Sequence, residues 1–117
     1  MANAGSRSEV ERAQRREKQR RKQELADLRA VMESAEGRRL IWRFLGMSRV
    51  FESAFNTNAM AQSHSIGWQD GGRWWLKEID EACPEKYLVM ANEARRAAKQ
   101  AEIDDQSSTP EEEEENG

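Results

Sequence analysis

The sequence predicts an all-α protein: a small bundle of three to four helices with a long basic N-terminal helical arm and a disordered acidic C-terminal tail. Residues 1–24 are rich in helix formers and basic side chains, and residues 25–103 carry nearly all bulky apolar side chains, many of them at helical spacing. Residues 104–117 are acidic and polar. We therefore expect three regions with these boundaries: a basic helical arm, a helical domain and a disordered acidic tail.

Composition narrows the class of protein. A chain of 117 residues allows one small domain. It has no apolar stretch near the roughly 20 residues that cross a bilayer, and its first residues are polar, so we expect no membrane partner and no secretory signal. The single cysteine, Cys83, excludes an internal disulfide framework and a cysteine-based zinc site.

The N-terminal arm is polar on every side. No apolar residue occurs between Ala13 and Leu25, so a helix here has no face to bury and is either solvated or held by a partner. A coiled-coil seam is excluded because its apolar heptad positions are missing. Basic side chains point all around this helix and form the candidate polyanion-binding set: Arg12, Arg15, Arg16, Lys18, Arg20, Arg21 and Lys22.

Charge is distributed unevenly along the chain. Residues 1–50 hold 13 basic and 7 acidic side chains, whereas residues 51–117 hold 6 basic and 15 acidic ones. This asymmetry favours polyanion binding at the basic end, or head-to-tail association between chains. The alternative is that both ends are simply solvated.

The helical domain begins in the last turns of the first helix. Apolar residues recur there at the spacing of one helix face: Leu25, Leu28, Val31 and Met32. Ser34 and Gly37 predict an interruption, and a dense apolar helix around Trp42 follows. We expect that second helix to stop near Gly46.

A third helix is predicted over Ala59–Ala82, with Asn56 or Asn58 as its N-cap. Seven residues share one of its faces: Met60, His64, Gly67, Gly71, Trp75, Ile79 and Ala82. We expect the two glycines of this stripe to admit another backbone or a large aromatic ring. Pro84 then begins a fourth helix that runs to about Ile103.

The tryptophans suggest a contact surface. Trp74 and Trp75 are adjacent, so on a helix they point about 100° apart and do not both face one narrow core seam. We expect Trp74 at the surface, and exposed aromatic side chains are typical of interfaces. The alternative is a broad core that uses them all. The candidate protein interface consists of Trp68, Trp74, Trp75 and Phe51.

Candidate chemistry is sparse. Cys83 precedes a helix, a position that lowers a thiol pKa, but catalysis needs a neighbouring base and the alternative is a small buried cysteine. His64 has no recognisable metal-ligand spacing around it. Gly71 and Gly72 lack the spacing of a phosphate-binding loop. We expect no enzymatic activity, no catalytic residue, no metal and no cofactor.

An ordered string of residues in the helical domain points to a known family. It consists of the segment Leu28–Met32, then Gly37, Arg38, Arg39, Trp42, Phe51, Phe55 and Gly67, and finally Ala82, Cys83, Pro84, Glu85, Tyr87 and Met90. This string, within 27–93, resembles a family of small uncharacterised proteins of tailed bacteriophages, whose domain was first named from a Bordetella podophage. The resemblance implies a phage gene in the virion morphogenesis cluster and supplies no catalytic residue.

Two functions are consistent with these observations. The first is a structural or assembly component of a tailed-phage virion, in contact with capsid, portal, tail or internal proteins and with other copies of itself. It would occur in the phage particle and in the host cytoplasm. The second is a small phage interaction protein of the infected cell: a nucleic-acid-binding accessory through the basic arm, or a host-protein inhibitor through the acidic tail.

Overall fold

The computed structural model describes residues 4–115, with side chains through Ser107. It contains the following helices: α1 (Ala4–Glu33), α2 (Ala35–Ser48), α3 (Ala59–Ala82) and α4 (Pro84–Glu115). No strand occurs within 4–115, and the predicted all-α class is confirmed.

The chain breaks between α1 and α2 at Ser34, as predicted. Ser34 is the N-cap of α2, and its hydroxyl oxygen accepts a hydrogen bond from the Gly37 N–H at 2.9 Å. Arg38 donates from Nη1 to the carbonyl oxygens of Met32 at 2.7 Å and Glu33 at 2.9 Å. These carbonyls belong to the last turn of α1, where no intrahelical donor remains.

Helix α2 ends near Gly46, as predicted, but Gly46 is not the residue that ends it. It continues to Ser48, and the residue that ends it is Arg49, in the left-handed conformation with φ 57°. The Arg49 N–H donates to the Gly46 carbonyl oxygen at 3.1 Å. Gln69 of α3 is buried and donates from Nε2 to the carbonyl oxygens of Arg49 at 2.8 Å and Glu52 at 2.7 Å, which ties the following turn to α3.

Both ends of α3 lie where the sequence places them. Asn58 is the N-cap, and its side-chain oxygen accepts from the Ala61 N–H at 3.0 Å. Pro84 begins α4, which continues past the expected end at Ile103 to Glu115. Residues 104–107 are exposed. Disorder of the acidic tail over 104–117 in solution stays a prediction.

The core lies where all four helices meet. Helix α2 contacts each of the other three. The buried apolar residues are Leu28, Met32, Ile41, Leu45, Ile79, Ala82, Cys83 and Met90. Helix α1 crosses the predicted boundary between 24 and 25 without a break, and Arg21 is the first described side chain along it that is partly buried.

The glycine that packs closely on α3 is Gly72, not the predicted pair. A Cβ at Gly72 would lie 2.2 Å from Ser48 Oγ and 2.8 Å from Val50 Cβ, whereas a Cβ at Gly67 or Gly71 would have nothing within 4 Å. The predicted stripe is therefore wrong as the packing face in its N-terminal half. Its C-terminal half is confirmed, because Trp75 packs partly against the core and Ile79 and Ala82 are buried.

The basic arm and the end of α4 project from opposite ends of the molecule. Arg38 pairs with Glu93 while Trp42 and Met90 line the same groove, so α2 and α4 run antiparallel. The chain reverses at Ser34, so α1 also runs antiparallel to α2. The molecule is 89 Å long, whereas either long helix alone measures about 45–48 Å. This length agrees with two long helices that extend in opposite directions from the core.

We predict opposite effects for two glycine substitutions. Gly72→Ala forces a methyl group against Ser48 and is expected to lower the free energy of unfolding by about 1–3 kcal/mol. Gly46→Ala, at a helical position with nothing within 4 Å, is expected to raise it by up to about 1 kcal/mol. Urea denaturation of the two variants measures both. A Gly72→Ala variant as stable as Gly46→Ala would contradict the close approach of α3 to α2.

Candidate protein-interaction surface

Three of the predicted aromatic residues assemble around Phe44 of α2. The Phe44 ring meets the Trp75 ring edge to face at 6.2 Å between centroids, and Trp75 meets Trp74 in the same way at 5.0 Å. Trp75 packs partly against the core, whereas Trp74 is 53% exposed. The surface position expected for Trp74 is confirmed.

An open groove whose lining includes two glycines lies beside these rings. It has a volume of about 420 Å³ and is lined by Phe44, Ser63, His64, Gly67, Trp68 and Gly71. Trp68 is 45% exposed and donates from its indole Nε1 to His64 Nε2 at 3.0 Å, which fixes the orientation of both rings. Three residues of the stripe predicted to face the core, His64, Gly67 and Gly71, thus line a groove that opens to solvent.

Helix α2 adds apolar side chains that were not among the predicted interface residues. Leu40 is 63% and Met47 61% exposed, and they flank Phe44 at i−4 and i+3, so the three share one side of α2. The helical spacing of Leu40, Phe44 and Met47 could have identified this second apolar face of α2. The buried face of Ile41, Leu45 and Ser48 lies one residue further around the helix. We call the combined surface the aromatic face: Leu40, Phe44, Met47, Gly67, Trp68, Gly71, Trp74 and Trp75.

Phe51, the fourth predicted interface residue, lies elsewhere. Its ring contacts Trp42 at 5.8 Å between centroids, and Trp42 is two residues before Phe44, about 200° around α2. Trp42 also lines a groove between α2 and α4 together with Arg39 and Arg43. Phe51 is exposed, but the structure does not bring it to the aromatic face.

Ion pairs join the arm side of α1 to α3. Arg21 donates to both carboxylate oxygens of Glu78 and to Glu81 at 2.5 Å. These hydrogen bonds raise the pKa of Arg21, and they lower the pKa of Glu78 against the opposing effect of its burial. Arg21 is therefore engaged within the molecule, unlike most of the predicted polyanion-binding set.

The rest of that set lies on the projecting part of α1 or at its base. Arg20 pairs with Glu17 at 2.5 Å. The other side chains are exposed and form no ion pair with the described residues: Arg12, Arg15, Arg16, Lys18 and Lys22. The structure places these cations around one helix rather than in a pocket.

A second ion pair closes the junction of α1, α2 and α4. Arg38 Nε donates to Glu93 Oε1 at 2.5 Å while its Nη1 donates to the end of α1. The pairing lowers the pKa of Glu93 and raises that of Arg38. Arg38 was predicted only as part of the family resemblance, because the spacing of residues in the sequence does not reveal that one side chain of α2 joins α1 and α4.

The two candidates for chemistry are far apart. Cys83 is buried, and burial first and Glu85 second raise the pKa of its thiol, which disfavours the nucleophilic thiolate. His64 lies about 28 Å away, as 19 residues along one helix direction require. No group of three or more His, Cys, Asp or Glu side chains that could hold a metal ion occurs within the described part of the chain.

The helices of residues 4–115 include none that combines the length and the apolarity needed to cross a membrane. Comparisons of the chain with protein-family models, curated proteins and solved structures found no match.

We predict an acid-sensitive contribution of Glu78 to stability. Its pKa is lowered in the folded state, so it stabilises the fold above the pKa of an unfolded glutamate, about 4.3, and this contribution is lost as the pH falls through its folded pKa. Glu78→Gln is expected to have a lower Tm than the wild type at about pH 7 and a shallower fall of Tm below about pH 4.5.

Thermal unfolding followed by circular dichroism across pH measures this difference. Glu102→Gln, at an exposed position of α4, is the matched control and should follow the wild-type curve. Parallel curves for Glu78→Gln and the wild type would contradict a stabilising Arg21–Glu78 pair.

Proposed function

We propose that this chain is a non-enzymatic structural or assembly component of a tailed-phage virion, which acts through protein–protein contacts. Its partners in this proposal are capsid, portal, tail or internal virion proteins and other copies of the chain. The virion context comes from the family resemblance of 27–93. The contact function is supported by the geometry of the aromatic face.

The aromatic face carries the proposal. Two tryptophans, Trp68 and Trp74, are about half exposed. Trp68 lines the open groove with Phe44, and Trp74 contacts Trp75 and lines the neighbouring groove against α1. Leu40 and Met47, both exposed, lie on the same side of α2 as Phe44. Clustered apolar side chains of this kind mark interaction sites in soluble proteins, and tryptophan is among the residues that dominate binding energies.

The face is also ordered before any partner arrives. Trp75 is anchored in the core and contacts Trp74, and Trp68 is held by His64. Binding therefore orders few additional side chains, which lowers the entropic cost of association. A rigid surface suits a component that must adopt one position in a particle.

We predict that the face directs incorporation into particles. In the phage that encodes the chain, mass spectrometry of purified particles is expected to detect the wild-type protein in a copy number that is a multiple of a symmetry order. The double variant Trp68→Ala/Trp74→Ala should fall at least tenfold, since each exposed anchor contributes about 1 kcal/mol or more.

Leu88→Ala is the matched control, because Leu88 is 64% exposed but lies on α4 outside the face. Absence of the wild-type protein from clean particles would overturn the virion assignment. Equal incorporation of the double variant and the control would overturn the function of the face.

Nucleic-acid binding by the arm is the second candidate. It is favoured by the exposed cations of α1 that have no acidic partner among the side chains that the structure describes, including Arg12, Arg15 and Arg16. Against it, the arm carries no aromatic side chain on which bases stack.

This candidate predicts a steep salt dependence. If about five cations contact phosphates, the affinity for duplex DNA should fall by at least about 100-fold between about 50 and 200 mM salt. Arg12→Gln/Arg16→Gln should reduce the slope by about 2. Fluorescence anisotropy measures both quantities, with Arg95→Gln/Arg96→Gln on α4 as the charge-matched control. A flat salt dependence would overturn this candidate.

A further inference from the structure

The groove between α2 and α4 carries an excess of positive charge beside an apolar floor. It has a volume of about 390 Å³, and its lining consists of Arg38, Arg39, Trp42, Arg43, Met90, Glu93, Ala94 and Ala97. Three arginines thus share these walls with a single carboxylate, and Arg38 already pairs with that carboxylate at 2.5 Å. The groove therefore suits a ligand that combines an apolar part with negative charge.

The other two arginines are accessible to an external anion. Arg43 is exposed and forms no ion pair with the side chains that the structure describes. Arg39 is also exposed, and its contact with the exposed Glu36 spans 3.8 Å, so water weakens that pair. The two lie one helical turn apart, about 6 Å along α2. Guanidinium groups bind phosphate through pairs of N–H donors, and two of them in a row can hold successive phosphates of one strand.

A pair of aromatic rings continues the apolar floor toward the turn after α2. The Trp42 ring lines the groove, and the Phe51 ring contacts it at 5.8 Å between centroids, with the two planes tilted by 32°. Phe51 is 58% exposed, so a planar group from outside can reach its ring. Bases stack on exposed aromatic rings of this kind in proteins that bind single-stranded nucleic acids.

We propose that this groove binds single-stranded nucleic acid. One base stacks on Phe51 and the next lies in the apolar groove beside Trp42. Arg39 and Arg43 contact the phosphates between them. An acidic protein segment would use the arginines but offer no planar bases to the rings, and the bases of a duplex are already stacked on one another. The site is separate from the aromatic face and uses none of the cations of the arm, so it is independent of the proposed function.

Fluorescence anisotropy of the full chain tests the stacking. The probe is a labelled oligothymidylate of about five nucleotides, near the lower end of known single-strand site sizes. Phe51→Ala is expected to weaken binding at least about fivefold, because one base loses its stacking partner. Phe55→Ala is the matched control, since Phe55 is 80% exposed and makes no ring contact within the described residues. Phe51→Tyr keeps a ring and should bind like the wild type.

The phosphate contacts are tested by salt titration of the same samples. Arg39→Gln/Arg43→Gln should lower the slope of log affinity against log salt by about 1.4, because each phosphate contact to a single strand contributes about 0.7. Arg73→Gln/Lys77→Gln, an exposed pair with the same spacing on α3, is the charge-matched control and should leave the slope unchanged. An oligouridylate of equal length shows whether RNA or DNA binds more tightly. Circular dichroism confirms that each variant remains helical.

Four outcomes overturn the proposal. The first is no binding of either oligonucleotide up to about 100 μM chain. The second is equal binding by Phe51→Ala and Phe55→Ala. The third is displacement of the oligonucleotide by an equal concentration of a glutamate peptide of the same charge, which would show that the groove recognises negative charge alone. The fourth is a loss of binding confined to Arg12→Gln/Arg16→Gln, which would place the nucleic acid on the arm.

Discussion

The close approach of Gly72 to Ser48 fixes how the rest of the molecule is arranged. With no Cβ at Gly72, the backbone of α3 lies against the end of α2, and no larger residue fits without a shift of that backbone. This contact sets the rotation of α3. Trp75 is thereby placed against Phe44 of α2, whereas Gly71, the residue beside Gly72, faces outward. The position of one glycine thus determines which side of α3 becomes core and which becomes surface.

Helix α2 carries more apolar side chains than its surroundings can bury. Its seam of Ile41, Leu45 and Ser48 is enclosed by the three other helices, but Leu40 and Met47 remain exposed on the side of Phe44. In a bundle this small, burial is limited by the few neighbours available. These unburied apolar side chains, Leu40 and Met47, lie on one surface next to the exposed tryptophans of α3. Polar contacts hold this arrangement in place: Arg38 links α1, α2 and α4, and Gln69 holds the turn after α2.

Features governed by local chemistry could be predicted from the sequence, because capping and proline rules act within a few residues. Ser34, Asn58 and Pro84 mark the breaks as expected. Features governed by tertiary packing could not. Whether Gly71 or Gly72 packs closely depends on a contact with α2, more than 20 residues away in sequence. Helical periodicity does not distinguish the two glycines, because each lies on a regularly spaced face of α3. Helical spacing was sufficient to identify Trp68, Trp74 and Trp75 as surface candidates. The contact of Phe44 with Trp75 and the separate location of Phe51 required the three-dimensional structure.

We propose that another protein surface covers the aromatic face when the protein works. Hydroxyl-radical footprinting of the full chain, read by mass spectrometry at high and low protein concentration, tests it most directly. We expect that oxidation of Trp68 and Trp74 slows in the concentrated sample, while oxidation of exposed Leu88, which lies outside the face, stays the same. Equal oxidation rates of Trp68 and Trp74 in both samples, under conditions where the chain is associated, would contradict it.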